Sequence, residues 1–159
     1  MSRLSVTSLT KEKVSEAYPL IRAATQISLA RWQAYVRLVR RRGGDVLVVS
    51  DEKGTIYGSA AFRTSSTLRH HHCLVVDAIA AFEIGQLATV KGHLCEALQR
   101  EAIARGCSAI LVQTAATKAS QRGGSDQWRG LGFTPESMTI VHKLAPLAKR
   151  KGEAAQTSR

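Results

Sequence analysis

Asp77 stands in the run Cys73-Leu74-Val75-Val76-Asp77-Ala78-Ile79-Ala80-Ala81, a carboxylate inside an otherwise apolar stretch. Burying a carboxylate without a partner is costly, so an acid at such a place belongs to a site or is matched to a nearby arginine. A carboxylate held there can act as a general base or orient a bound group. Glu83, a few residues on, reads as a surface loop residue. Arg69-His70-His71-His72-Cys73 puts nitrogen and sulfur donors in a row. Adjacent strand residues point to opposite faces, so three consecutive histidines cannot close on one ion in a strand. His70 and His72 could share a face, but a hairpin with solvated histidines is expected, and no metal site. Cys73, Cys95 and Cys107 are an odd count without C-x-x-C spacing. They read as reduced thiols in a reducing compartment, neither a disulfide frame nor a zinc site.

Charge narrows the partners. Twenty-three Lys plus Arg oppose twelve Asp plus Glu, for a net charge of +11. Such a field attracts polyanions: nucleic acid, acidic protein surfaces, or the phosphates of a nucleotide. The arginines concentrate in Arg37-Leu38-Val39-Arg40-Arg41-Arg42 and a further basic cluster, Lys149-Arg150-Lys151, lies near the end of the chain. The first cluster reads either as a solvated helix end complementing the helix dipole or as a docking surface for nucleic acid or an acidic protein. Three Phe, three Tyr and two Trp leave few stacking platforms, and no RNA-binding aromatic signature or zinc-finger spacing accompanies the arginines. No apolar run approaches the ~20 residues of a membrane span, so no membrane role is expected. The opening MSRLSVTSLTKEKV lacks the apolar core of a signal peptide, which points to a cytoplasmic protein.

These groups need elements to hold them. Leu4, Val6 and Leu9, separated by polar residues, suggest a first strand. Thr10 can then cap a helix with Val14, Ala17, Tyr18 and Ile21 on one side, which Pro19 is expected to interrupt or to restrict to a new turn in its second half. Ser28 is the next cap, followed by Leu29, Trp32, Val36 and Val39 on one helical face, with Gly43 and Gly44 as the stop. Trp32 falls with the core residues of that face. Val46-Leu47-Val48-Val49 is a buried-strand run, Asp51-Glu52-Lys53-Gly54 a hairpin turn, and 55–64 the returning strand. A strand from about His72 through Ile79 precedes a helix whose Leu94, Leu98 and Ala102 point inward and which stops at Arg105-Gly106. Ala109-Ile110-Leu111-Val112 is a further strand, and Gly132-Phe133 with Met138 to Leu144 is expected to close the sheet. The 72–114 unit is long enough to join parallel strands by a crossover. The order β-α-α-β-β-β-α-β-(turn or helix)-β fits one domain over 1–144, with 145–159 as a basic, disordered tail. No repeat and no dividing linker interrupts it.

The layout and several segments together resemble the GNAT superfamily of acetyl-CoA-dependent N-acetyltransferases. The stretch CLVVDAIAAFEIGQLATVKGHLCEALQREAIARGCSAILVQT is similar to the central motif of that family, a strand followed by an R/Q-x-x-G-x-G/A loop that opens a helix. WRGLGF resembles the family's segment ending in Gly-Phe, and YPLIRAATQISLARWQAYVRLVRRRGG with YGSAAFR is similar to one of its subgroups. The likeness runs from about residue 14 to 144. It implies a mixed α/β fold (α+β in its segregation), with a central, mostly antiparallel sheet, a splayed strand pair and flanking helices.

The resemblance also implies a site. Ile79, Ala80 and Ala81 would lie along the pantetheine arm of acetyl-CoA, and Gln86, Leu87, Ala88, Thr89, Val90, Lys91 and Gly92 would form the pyrophosphate loop and helix start. A helix N-terminus offers unpaired amides and a partial positive charge to phosphate, and loop glycines permit close approach. This chain keeps Gln86 but has Thr89 and Lys91 where the family has Gly and Gly/Ala. Thr89 could offer a hydroxyl and Lys91 an ammonium to phosphate, although Lys91 equally reads as a solvated first-turn cation. Asp77 falls where similar sequences carry an acid, as general base or substrate-orienting group. The position that matches the family's proton-donating Tyr holds Trp128, whose indole N–H donates a hydrogen bond but transfers no proton; water or Ser125 are the remaining donors. One of the histidines would border the amine cleft, and Trp32 could form part of its wall. The expected activity is acetyl transfer to a primary amine (small molecule, peptide or protein) in a ternary complex, with another acyl-CoA as a variant. The alternative is a catalytically impaired GNAT-fold binding module acting through its basic surface on nucleic acid or acidic protein. A homodimer is compatible with either.

Overall fold

The computed structural model of the chain describes residues 3–82, 89–114 and 125–145. In order these form β1 (Ser5–Ser8), α1 (Val14–Thr25), α2 (Leu29–Arg41), β2 (Asp45–Ser50), β3 (Ile56–Ser65), β4 (Cys73–Ala81), α3 (Thr89–Ala104), β5 (Ala109–Val112) and α4 (Ser125–Gly130). The five strands make one sheet in the order β1-β2-β3-β4-β5. The first three pairings are antiparallel, and β4 runs parallel to β5 through the α3 crossover, as the spacing predicts.

Each face of the sheet is covered by helices. α1 and α2 bury Ala17, Ile21, Trp32 and Val36 against Val46, Val48 and Ala61 on one side. α3 buries Val90, Leu94 and Leu98 against Leu47, Phe62, Leu74 and Val76 on the other. Leu94, Leu98 and Ala102 are all inward, as their spacing requires. Trp32 is fully buried and its Nε1 donates to the Val14 carbonyl at 2.9 Å, which fixes α2 on α1. Ser28 caps α2 by accepting from the Arg31 amide at 3.2 Å. Gly58 lets α3 sit close on β3: a Cβ there would lie 2.6 Å from Val90 Cγ1. In the β2–β3 turn the Asp51 carboxylate accepts from the Lys53 and Thr55 amides and from the Tyr57 hydroxyl. Burial pushes its pKa up, but those hydrogen bonds outweigh it and hold the carboxyl below its usual range.

Three expectations are corrected. Thr10 does not cap α1; the helix begins at Val14 after a turn in which the Lys13 amide donates to the Thr10 carbonyl, and Lys13 holds the cap position without a side-chain bond. Pro19 does not interrupt α1, which continues to Thr25; packing of Ala17 and Ile21 on the sheet outweighs the one backbone donor that proline removes. The run Met138 to Leu144 does not close the sheet. Among the described residues no strand follows β5, and Met138, Ile140, Val141 and Leu144 are exposed. An alternating pattern promotes a strand only where an edge accepts it, and here none of that run is paired to β5. Gly132, at φ 86°, instead ends the turn after α4, where the Phe133 amide returns to the Trp128 carbonyl. The putting of 145–159 in a tail lies outside the described residues for 146–159.

Candidate active site

The sheet opens where the acyl-CoA site is expected. β4 and β5 pair only from Cys73↔Ala109 to Val76↔Val112, closed by the Gln113 amide donating to the Val76 carbonyl at 3.0 Å. From Asp77 to Ala81 the β5-side edge of β4 has no partner strand among the described residues, while its other edge stays paired to β3. The Phe82 amide donates to Tyr57 across to β3. Main-chain groups alternate sides along a strand, so those of Ile79 and Ala81 point to the open edge and those of Ala80 to β3. α3 begins at Thr89, and Gly92 in its first turn has open space where a Cβ would stand. Gln86, Leu87 and Ala88 lie outside the described residues, as does Glu83; of Thr89 and Ser125 only the backbone is described.

Asp77 sits at a break in the β3–β4 register, between Ala61↔Ala78 and Phe62↔Val76. The extra residue is a β-bulge, which re-aims a side chain. Asp77 Oδ2 accepts from Arg63 Nε at 3.0 Å, and both side chains are part-buried. On α2, the Tyr35 hydroxyl is buried and has no hydrogen-bond partner among the described residues. Its pKa is pushed up to about 12, first by burial and then by the Asp77 charge, with Arg63 opposing. The Tyr35 ring stacks on Trp32 at 6.2 Å. Neither Tyr35 nor Arg63 stood out in the sequence. Their signals were weak: Tyr35 lies three residues after the buried Trp32 on the same helix, and Arg63 breaks the apolar run of β3.

The second group lies at the start of α3. Lys91 Nζ donates to Gln127 Oε1 at 3.1 Å and lies 5.0 Å from the Trp128 ring centroid. Trp128 meets Phe133 edge-on at 5.4 Å. The described contacts join Trp128 to Lys91 and Phe133, and none joins it to Asp77. Val90 is fully buried under the sheet. The resemblance-based residues therefore divide into a carboxylate pole (Asp77 with Arg63 and Tyr35) and a helix-start pole (Lys91, Gly92 and Trp128), with the open edge of Ile79 and Ala81 on β4.

The other tempting features make contacts of their own. His70 Nε2 meets Glu136 Oε2 at 2.7 Å, His72 Nε2 meets the Arg105 carbonyl at 3.0 Å, and no metal-binding cluster occurs among the described residues. Arg40 turns inward to Asp45 and the Leu9 carbonyl, leaving Arg37, Arg41 and Arg42 on the surface. Burial raises the pKa of the Cys73 and Cys95 thiols, which makes both poor nucleophiles. Among the described residues no helix is long and apolar enough to cross a membrane. Shallow depressions of about 480 Å³ against α1 and about 370 Å³ between α3 and β5 contain none of the site groups.

No family model and no curated protein matches the chain by sequence. Solved structures match it by shape. An acetyltransferase from Trypanosoma brucei superposes with a TM-score of 0.71 at 17% identity, covering 89% of this chain and 100% of that one. The aminoglycoside N-acetyltransferase AAC(6')-Iy, solved in complex with CoA, gives 0.75 at 13% identity over 91% and 96%. Glucosamine-6-phosphate N-acetyltransferase from Arabidopsis thaliana gives 0.70 at 9% identity over 90% and 99%. The five-stranded mixed sheet, its parallel splayed pair and its flanking helices are those of these enzymes, and the chain has the GNAT fold.

Proposed function

We propose that the protein is an N-acetyltransferase that moves an acetyl group from acetyl-CoA to a primary amine. The observation that carries this reading is the β4 edge beyond Val76, which no strand among the described residues pairs, next to the first turn of α3. An unpaired strand edge presents amides and carbonyls to an extended chain of alternating amide groups, as pantetheine is. Ile79 and Ala81 supply those groups, and the amides opening α3, with Lys91 nearby, suit the pyrophosphate. Acetyl-CoA when bound supplies a thioester carbonyl to the amine. At the carboxylate pole, Asp77 Oδ1 accepts no hydrogen bond among the described residues and is the atom that takes the amine proton or orients the ammonium. Trp128 contributes a ring that holds Lys91 and an N–H that can only donate, so water protonates the departing thiolate. Isothermal titration with acetyl-CoA tests the proposal. Saturable one-to-one binding is expected, and its absence at millimolar ligand removes the enzyme reading.

A second reading is a binding module that has lost catalysis. It is favoured by the exposed Arg37, Arg41 and Arg42 on a chain of net charge +11. Nucleic-acid affinity falling steeply with salt would support it; no gel shift with duplex DNA or RNA at low salt would count against it.

A further inference from the structure

The carboxylate pole has a charge pattern that says something about the acceptor. Asp77 is the carboxylate that the Tyr35 hydroxyl senses, and Arg63 already meets its charge through Nε at 3.0 Å. The pole is therefore neutral as a pair, with one cation and one anion side by side. Each partner keeps unused capacity. Arg63 makes no other hydrogen bond among the described residues, so its two terminal nitrogens remain to donate. Asp77 Oδ1 remains to accept.

Resting on the acetyltransferase reading, we infer that the acceptor is an amine carrying an anionic group, a carboxylate or a phosphate. Asp77 Oδ1 meets its ammonium, while the terminal nitrogens of Arg63 meet its acidic substituent. A polycationic acceptor fits badly. It would need several unpaired carboxylates, yet the one at this pole is already paired, and a surface of net charge +11 repels it at a distance. A neutral amine would leave the Arg63 fork without a ligand partner, whereas bidentate guanidinium contacts to carboxylate or phosphate are among the stronger polar interactions. Arg63 thus sets acceptor specificity rather than rate.

The test uses matched amines that differ only by the acidic group: glucosamine 6-phosphate against glucosamine, O-phosphoethanolamine against ethanolamine, and tyrosine against tyramine, with kanamycin as the polycation. Thiol release from acetyl-CoA by the full-length protein is followed for each, after calorimetry has established that acetyl-CoA binds. In at least one pair the anionic member should be favoured about tenfold or more in kcat/KM, a difference of about 1.4 kcal/mol. Arg63→Gln should bring that ratio close to one while acetyl-CoA still binds, and Arg63→Lys should restore part of it, which a merely structural role would not produce. A preference for the neutral twins or for kanamycin, or acetyl-CoA binding with no anionic amine turned over, overturns the inference. Absence of acetyl-CoA binding defeats the transferase reading instead, and the two failures are told apart by the calorimetry.

Discussion

Tyr35 carries a hydroxyl that folding removes from water and that finds no partner among the described residues. Such a group costs roughly 1 kcal/mol or more, so Tyr35→Phe should stabilise the free protein by about that much and raise Tm by about 2–4 °C. Tyr35 also predicts an alkaline signature. Its pKa goes from 10.0 to about 12 on folding, so the folded state keeps a proton that the unfolded chain releases. Stability from this residue is complete below pH 10.0 and is lost as pH climbs toward 12. Denaturation midpoints measured through that range should fall less steeply in Tyr35→Phe than in the native protein. Asp77→Asn should lower kcat/KM by about 10²–10⁴-fold while acetyl-CoA affinity holds, because the residue is asked to handle the amine and not the nucleotide. Trp128→Tyr would place a phenol where the indole now stands, and a rise in kcat of about tenfold is expected if thiolate protonation limits turnover.

At the scale of elements, the α3 start is held in place by contact with β3. A Cβ on Gly58 would meet Val90 Cγ1 at 2.6 Å and Leu94 Cδ1 at 3.2 Å. Gly58→Ala should therefore cost about 1–3 kcal/mol by denaturant titration and, by pushing the first turn of α3 outward, weaken acetyl-CoA binding in the same calorimetric assay. Much of this framework was legible in the residues. The 3.6-residue spacing of Leu94, Leu98 and Ala102 gave α3, Ser28 gave the start of α2, and the crossover length gave the parallel β4–β5 pair. Propensity alone misplaced the opening of α1 and the course of Met138 to Leu144, because caps and edge strands depend on what packs against them. At the candidate site, Asp77 was visible as a charge among apolar neighbours. Arg63 and Tyr35 were not, because the bulge and the α2 packing that bring them together join residues far apart in sequence.

For the molecule as a whole, a net charge of +11 bears on a ligand as anionic as acetyl-CoA. Attraction to a charged surface weakens as the Debye length shrinks from about 30 Å at 0.01 M salt to about 8 Å at 0.15 M. KM for acetyl-CoA should rise over that range, and steady-state kinetics at fixed pH would show it. Fold and chemistry are also separable to an unusual degree. Val76 packs with the α3-side core and Ala78 with the α1/α2 side, and Ile79 and Ala80 continue the alternation. Residue 77 is thus supernumerary to the pleat. A chain with that single codon excised would join Val76 directly to Ala78 and keep every flanking side chain on its own layer, yielding a folded protein stripped of its carboxylate and a cleaner blank than any substitution at the same place.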